Sequence, residues 1–486
     1  MEFLLKNKKF QTFLLFTSFC LLFFVPRYFA STRYDALEDE ILAIQNNMNY
    51  SVKEFIFAPD FTHPGFWYML MDFPTSILGI SHGIFYYRLI QVLNLLVLII
   101  FAFFYFRKKL SNVFILIFFI LFFTNIYLVH LTVQHRMYSL VLGLSIIYSF
   151  YWYHLFLKKN VISYKEAIYL GVLASASFFT NYSVIWLIPI WPLAYLVYKR
   201  SFPVLKKMSV FGLTILTCVG WFIPIFIKNA NTSITHNQWT QHFSLRNFLQ
   251  LIGNYFGLIP RNLGTNEINF FVLPFIFLFI FIIIWMIFVK KIIYMRYLFL
   301  SLLIFFAAFV FAVRITGNSL LYARTSIPFV VLVYVMIADS FIRGNKVIKF
   351  LSICLMIMQL FQFFIYFSSN KEIDEMYHLF DYKENTLGHF KKYKFEEGSC
   401  LIPIPGWNTT SAHFFLDKSV KVIATDLKDV DQELKKMSSC SKIYVLDQTS
   451  VDRTITSQFY QYFNIAESKI ELVEVYINQS LYVLEN

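Results

Sequence analysis

Tyr34-Asp35-Ala36-Leu37-Glu38-Asp39-Glu40-Ile41 follows closely on the first membrane-length apolar run of the chain, Phe13 to Val25. Carboxylates held against a bilayer are costly unless they face a polar cavity, so a cluster there marks a candidate site. From Tyr34 to Met48 the residues Leu37, Ile41, Ile44 and Met48 recur at helical spacing, while Asp35, Glu38 and Asp39 gather on the opposite side. This spacing predicts an amphipathic helix lying on the membrane surface. Crowded acids of this kind have a bland reading, a solvated helix face. Their functional reading is a site where a cation, a basic substrate or a proton-accepting role compensates the charge.

Working outward, the 486 residues are 58% hydrophobic and 20% aromatic, include 60 Phe, and are only 15% charged, which excludes an ordinary soluble domain. Apolar runs long enough to approach a bilayer crossing recur. After Phe13 to Val25 come Ile84 to Phe106, Val113 to Val129, Tyr138 to Leu157, Ala167 to Thr180 and Val184 to Tyr198. Val210 to Ile227, Phe270 to Val289, Tyr297 to Val313, Ser326 to Phe341 and Val347 to Phe367 follow. These runs predict about eleven transmembrane helices.

The net charge of +13 does not point to nucleic acid, because the basic residues fall in alternate loops. Lys6, Lys8 and Lys9 precede the first run, and Arg107 to Lys109 follow the second. Lys158, Lys159 and Lys165, then Lys199, Arg200, Lys206 and Lys207, come next; Lys290, Lys291 and Arg296, then Arg343, Lys346 and Lys349, complete the series. The positive-inside rule places all of them in the cytoplasm, with the N-terminus, and predicts an extracytoplasmic C-terminus. No small-x-small cleavage site follows the first run, which reads as a signal anchor.

The boundary falls near residue 367. Residues 1–367 read as a transmembrane domain, and residues 368–486 as an outward domain in which short β-branched runs (Cys400 to Ile404, Val420 to Ala424, Lys442 to Leu446, Glu471 to Ile477) flank a helical segment at Asp429 to Met437. That pattern predicts a small α/β unit. Cys400 and Cys440 lie in it, where a disulfide is plausible. The tail shows no Gly-rich phosphate loop, metal-spaced Cys/His set or nucleophile elbow.

The chemistry is therefore expected in the first outward loop and at the outward mouths of the spans. In Thr62-His63-Pro64-Gly65-Phe66-Trp67-Tyr68, Pro64 opens a second surface helix, and Trp67 and Tyr68 suit headgroup depth. His63 is a ligand, a proton carrier or a helix cap. Arg88, Arg136 and Arg324 stand at outward mouths, where the positive-inside rule would not put them. A planar guanidinium there suits a phosphate, or else snorkels to a lipid headgroup.

The order of these features resembles the GT-C glycosyltransferases, in particular the bacterial relatives of the protein mannosyltransferases and of the lipid A aminoarabinose transferase. The resemblance is carried by Asp39-Glu40, His63-Pro64-Gly65-Phe66-Trp67-Tyr68, Tyr87-Arg88-Leu89, Gln134-His135-Arg136-Met137-Tyr138-Ser139 and Tyr322-Ala323-Arg324 before Pro328, and covers about the first 340 residues. It implies an all-α polytopic membrane fold of GT-C type with surface helices in the first external loop. It also implies transfer of a sugar from a polyprenyl-phosphate donor to a hydroxyl of a glycan, lipid or protein acceptor at the outer face of the bacterial cytoplasmic membrane. By the same resemblance Asp39 is the catalytic carboxylate, Glu40, His63 and Tyr138 shape the site, and Arg136 and Arg324 bind the donor phosphate. Asp35, Arg88 and His135 are further candidates.

That chemistry agrees with the residues. A sugar phosphate carries a good leaving group, so the protein must supply a base for the acceptor hydroxyl and positive charge for the departing phosphate. Direct displacement inverts the anomeric carbon. Many relatives read Gln-Glu-Ala-Arg where this chain has Gln134, His135 and Arg136, so a second carboxylate is missing, and a site with a divalent metal and one without both stay open. His135 then reads as a donor-binding, proton-transfer or interfacial hydrogen-bonding residue. Two rival classes share the polytopic character. A surface-polysaccharide polymerase or ligase would show large outward Arg/His loops, and a lipid-linked glycan transporter would show broken midspan helices and repeat symmetry. The loop Lys228 to Asn269, with His236, Trp239, His242 and Arg246, reads as a lid or acceptor-binding element.

Overall fold

Runs of Phe, Leu and Ile in which every backbone group must be satisfied without water fold as helices, and the computed structural model shows them as such. It describes residues 19, 21–31, 40, 43–44, 65–78, 84–158, 160–224, 253, 256–257, 272–316, 323–368, 393–404, 420–423, 439–447, 470–476 and 479–484. The helices are α1 (Leu21–Ser31), α2 (Gly65–Leu78), α3 (Ile84–Phe106), α4 (Asn112–Thr124), α5 (Ile126–Val133), α6 (Tyr138–Leu157) and α7 (Tyr164–Thr180). A 3-10 turn at Tyr182–Trp186 leads to α8 (Ile190–Lys199), α9 (Phe202–Val219), α10 (Val272–Phe288), α11 (Ile293–Thr316), α12 (Ala323–Arg343) and α13 (Lys346–Ser368). Among the described residues five helices are long and apolar enough to cross a membrane: α3, α6, α9 with its short extension, α11 and α13.

Two compact units divide the chain. The first comprises Met1–Ser31, Tyr50–Ile77 and Phe85–Met376, and the second Thr32–Asn49, Leu78–Ile84 and Tyr377–Asn486.

In the first unit α6 is buried on every side, all its residues except His154 and Leu157 being enclosed, and α12 is continuously buried from Phe329 to Ala338. A helix apolar and buried all round is a central one. Aromatic rings fill the space between helices: Phe114 stacks on Tyr153 with centroids 4.5 Å apart, and Phe118 meets Phe150 edge-on at 4.7 Å. At the C-terminal end of α6, Asp339 of α12 accepts hydrogen bonds from Tyr153, from Tyr294 Oη of α11 at 2.7 Å and from Arg343 Nε at 2.8 Å. This knot ties α6, α11 and α12 together.

The expected span Val113 to Val129 is not one straight helix. It breaks at Asn125, and α4 and α5 meet at 73°. Backbone groups freed inside an apolar bundle need partners, and distant side chains supply them. Gln359 Nε2 of α13 donates to Leu121 O and, at 3.1 Å, to Thr124 Oγ1, while Asn125 Nδ2 donates to Tyr334 Oη of α12 at 2.6 Å. Asn125 also caps α5 by accepting from the Leu128 N–H at 3.0 Å. Gly257, at φ +69°, lies against the break, where a Cβ would come within 3.1 Å of Asn125 Cα. The bend turns α5 so that its end, Thr132 and Val133, leads into the turn carrying His135 and Arg136.

The second unit holds a five-stranded mixed sheet, β1 (Cys400–Ile404), β2 (Lys421–Val422), β3 (Ile443–Asp447), β4 (Ile470–Tyr476) and β5 (Gln479–Leu484), in the order β2-β1-β3-β5-β4. β1 pairs in parallel with β2 and β3, and the β4–β5 hairpin joins antiparallel through β5. The alternating side chains Leu401, Tyr444, Leu446, Leu481 and Val483 make its core with Val420. A disulfide between Cys400 and Cys440 links β1 to the approach to β3. β5 was not among the expected strands, and the helical segment expected at Asp429 to Met437 lies outside the described residues.

Candidate functional site

The last turn of α1 places Arg27 among Phe and Leu side chains, and its guanidinium is completely buried. It lies over the Phe23 ring at 4.4 Å and 5.8 Å from the Phe123 ring centroid, so its flat face has cation–π partners. Its edge is only partly satisfied. Nε donates to Thr132 Oγ1 at 3.0 Å and Nη1 to Phe23 O at 3.1 Å, whereas Nη2 is buried with no hydrogen-bond acceptor. No carboxylate pairs with Arg27 among the described residues.

Thr132 sits at the end of the bent α5. Its carbonyl accepts from Ser139 Oγ of α6 at 2.6 Å, which fixes the intervening turn 133–138 between two helices. That turn carries His135 and Arg136, both buried, and ends on Tyr138, buried at the start of α6. Arg88, at the start of α3, is also buried and donates from Nη1 to Ser31 O at 3.2 Å. Arg27, Arg88 and Arg136 are thus three arginines withdrawn from solvent around the ends of α1, α3 and α5 and the start of α6. Guanidiniums gathered in this way, Arg27 with a donor unmet, are chemically suited to an anion bearing several oxygens.

His135 is wholly enclosed between two rings, with its centroid 5.1 Å from Trp67 and 4.8 Å from Tyr87. Its Nδ1 lies 3.2 Å from Gln91 Nε2. Gln91 in turn accepts from Trp67 Nε1 at 3.3 Å and donates to Met71 Sδ at 3.0 Å. Trp67 and Tyr68 are both buried inside the protein, and the indole N–H finds its acceptor in α3.

Of the residues singled out in the sequence, Arg88, His135, Arg136 and Tyr138 are brought to one end of the helical unit. Glu40 is helical and completely buried, and belongs to the second unit. Asp35, Asp39 and His63 lie outside the described residues, as do His236, Trp239, His242 and Arg246. Arg324 stands in the first turn of α12, with its side chain outside them. Among the described residues no three His, Cys, Asp or Glu are grouped to hold a metal. Arg27 and Gln91 were not singled out. The signal for Arg27 was present: like the other arginines, it stands in Val25-Pro26-Arg27 at a span end that the positive-inside rule assigns outward, against the charge bias.

A helical unit with membrane-crossing helices, a broken helix delivering buried cations to one end and a small sheet near the C-terminus define a polytopic membrane protein of the GT-C fold. Among solved structures, the crystal structure of ArnT from Cupriavidus metallidurans bound to undecaprenyl phosphate superposes with a TM-score of 0.56, covering 98% of this chain and 98% of that one, at 11% sequence identity. At that identity the likeness is one of fold. No family model matches the sequence, and no curated protein matches it.

Proposed function

We propose that this protein is an inverting glycosyltransferase that moves a sugar from a polyprenyl-phosphate donor to an acceptor hydroxyl at the outer face of the bacterial cytoplasmic membrane. The observation that carries the proposal is the group of buried arginines, Arg27, Arg88 and Arg136, at one end of α6, in a fold whose solved counterpart holds undecaprenyl phosphate. A phosphodiester between an isoprenoid and a sugar presents oxygens that such guanidiniums bind in pairs.

In the reaction Asp39 accepts the proton of the acceptor hydroxyl as its oxygen attacks the anomeric carbon from the face opposite the phosphate. The bond between that carbon and the phosphate oxygen breaks, its electron pair leaves with the polyprenyl phosphate, and the configuration inverts. Arg136 and Arg324, with Arg27, stabilise the charge that develops on the leaving phosphate, at a site where low dielectric strengthens each contact. Glu40, His63 and Tyr138 shape the pocket. Residues 368–486 form an extracytoplasmic domain, a placement supported by the Cys400–Cys440 disulfide, a bond of oxidising compartments.

The test is sugar transfer in purified membranes from a labelled polyprenyl-phosphate sugar, followed by extraction of lipid, glycan and protein products. Asp39→Asn is expected to lower transfer by about 100-fold or more, the range typical of a lost general base, and Arg324→Ala to raise the donor concentration required. Undiminished transfer by an intact Asp39→Asn protein would remove Asp39 from catalysis. Consumption of a diphosphate-linked glycan in place of the monophosphate sugar would turn the assignment to a polymerase or ligase.

A further inference from the structure

Gln91 settles the protonation of His135 by elimination. The indole nitrogen of Trp67 can only donate, and it lies 3.3 Å from Gln91 Oε1. Turning the amide over would set an NH2 group against that N–H, so the oxygen must face Trp67 and the nitrogen must face the other way. Gln91 Nε2 accordingly points at Met71 Sδ and His135 Nδ1, 3.0 and 3.2 Å away. An amide nitrogen cannot accept, so Nδ1 must. A neutral imidazole whose Nδ1 accepts carries its proton on Nε2. An imidazolium would bring N–H against N–H at a fully buried ring.

The surroundings act in the same direction. Tyr87 and Trp67 cover the ring, Gln91 occupies its Nδ1 edge, Arg136 follows it in the chain, and Arg27 and Arg88 are further buried cations of the same unit among the described residues.

We propose that Trp67 and Gln91 are positioning residues that lock His135 in the neutral Nε2–H tautomer, so that it acts as a hydrogen-bond donor to a phosphate oxygen of the lipid-linked sugar and not as the base of the reaction. The second half of this inference rests on the glycosyltransferase reading; the first does not. Where relatives place an acidic side chain beside the arginine, this chain then presents an uncharged donor. Base function is left to Asp39.

Nitrogen NMR of the full-length protein in lipid nanodiscs, labelled with 15N-histidine and assigned through His135→Gln, reads the lock directly. The expected signature is a neutral ring protonated on Nε2 and unchanged from about pH 5.5 to about pH 8, across the range where a free histidine titrates. A ring protonated on Nδ1, or one that becomes an imidazolium within that range, overturns the proposal. Gln91→Glu supplies an acceptor in place of a donor and is expected to move the proton to Nδ1 and restore titration. Trp67→Phe frees the amide to rotate and is expected to give a mixture of tautomers, a second readout should Gln91→Glu fail to fold. An unchanged spectrum in the folded variants also overturns the lock.

Undecaprenyl phosphate added to the native protein is expected to shift the Nε2–H resonance. Binding without such a shift, with binding followed by thermal stabilisation, overturns the phosphate contact. Absence of any binding counts against the glycosyltransferase reading, while the tautomer is still decided by the spectra. In the transfer assay Gln91→Leu is expected to raise KM for the donor about 10-fold with kcat little changed, the pattern of a lost ground-state contact. A fall in kcat at constant KM contradicts the assigned role.

Discussion

Both ends of α6 bury polar side chains, and they do so on different terms. At the C-terminal end Tyr153 joins Tyr294 and Arg343 around Asp339, and the carboxylate accepts from all three. Donors and acceptor match, and opposite charges sit together. At the N-terminal end the turn 133–138 is flanked by Arg27, whose guanidinium has two hydrogen bonds, two aromatic rings and a buried Nη2 with no acceptor. A matched set spends its interactions on holding helices together. A guanidinium such as that of Arg27, with a donor left unmet, holds less and is poised to bind.

This contrast is sharpest where mutations should separate stability from activity. Asp339→Ala leaves two buried phenols without an acceptor and Arg343 without its partner. It is expected to destabilise the protein by about 3 kcal/mol, read as a lowered unfolding midpoint in detergent, with transfer per folded molecule unchanged. Loss of transfer at undiminished stability would break the distinction between the two ends. Arg27→Met makes the opposite prediction. Exchanging a buried cation for an apolar side chain of similar length should leave stability within about 1 kcal/mol. Removing a charge-assisted contact to the phosphate should weaken donor use by about 2 kcal/mol, roughly 30-fold. Strong destabilisation with normal transfer would make Arg27 a structural residue like Asp339.

A smaller effect is expected away from both ends, at the mouth of α7. Glu166 completes a capping box with Ser163 and accepts from Lys158 Nζ at 3.0 Å. Partial burial works against its charge, but the Ser163 N–H and hydroxyl and the Lys158 ammonium outweigh it and hold the carboxyl below its ordinary value of 4.5. A carboxylate shifted downward stabilises the fold above its unfolded pKa, and that contribution is lost as the pH falls through the folded value. Glu166→Gln should therefore cost about 1 kcal/mol at neutral pH. The gap from the native protein should close below about pH 4. A gap that persists in acid would assign the effect to packing.

Much of this architecture was legible in the sequence because the apolar runs are long and the basic residues fall between them with a regular bias. The arginines at Arg88 and Arg136 were legible for the complementary reason, that they break that bias. The break at Asn125 was not, since one Asn in an apolar run reads as a tolerated polar residue. What makes it a break is the side chains of Tyr334 and Gln359, more than 200 residues further along the chain. Arg27 was passed over because it follows Pro26 and reads as the start of a loop, although α1 continues through it to Ser31. Gln91 gave no signal at all. Its role arises from Trp67, Met71 and His135 meeting around one amide, a coincidence of three segments that no periodicity records.

The disulfide of the C-terminal sheet has a consequence for biosynthesis. It joins Cys400 to a partner 40 residues later, so in the extracytoplasmic placement proposed above it would not close until β1 and the start of β3 had both left the ribosome and crossed the membrane. Closing a loop of that length removes about 4 kcal/mol of chain entropy from the unfolded sheet. On the proposed placement, maturation would have a step later than membrane insertion, carried out by thiol oxidation. Newly made chains are expected to pass through a reduced, protease-sensitive form, which pulse labelling and non-reducing electrophoresis would resolve as a slower band giving way to a faster one.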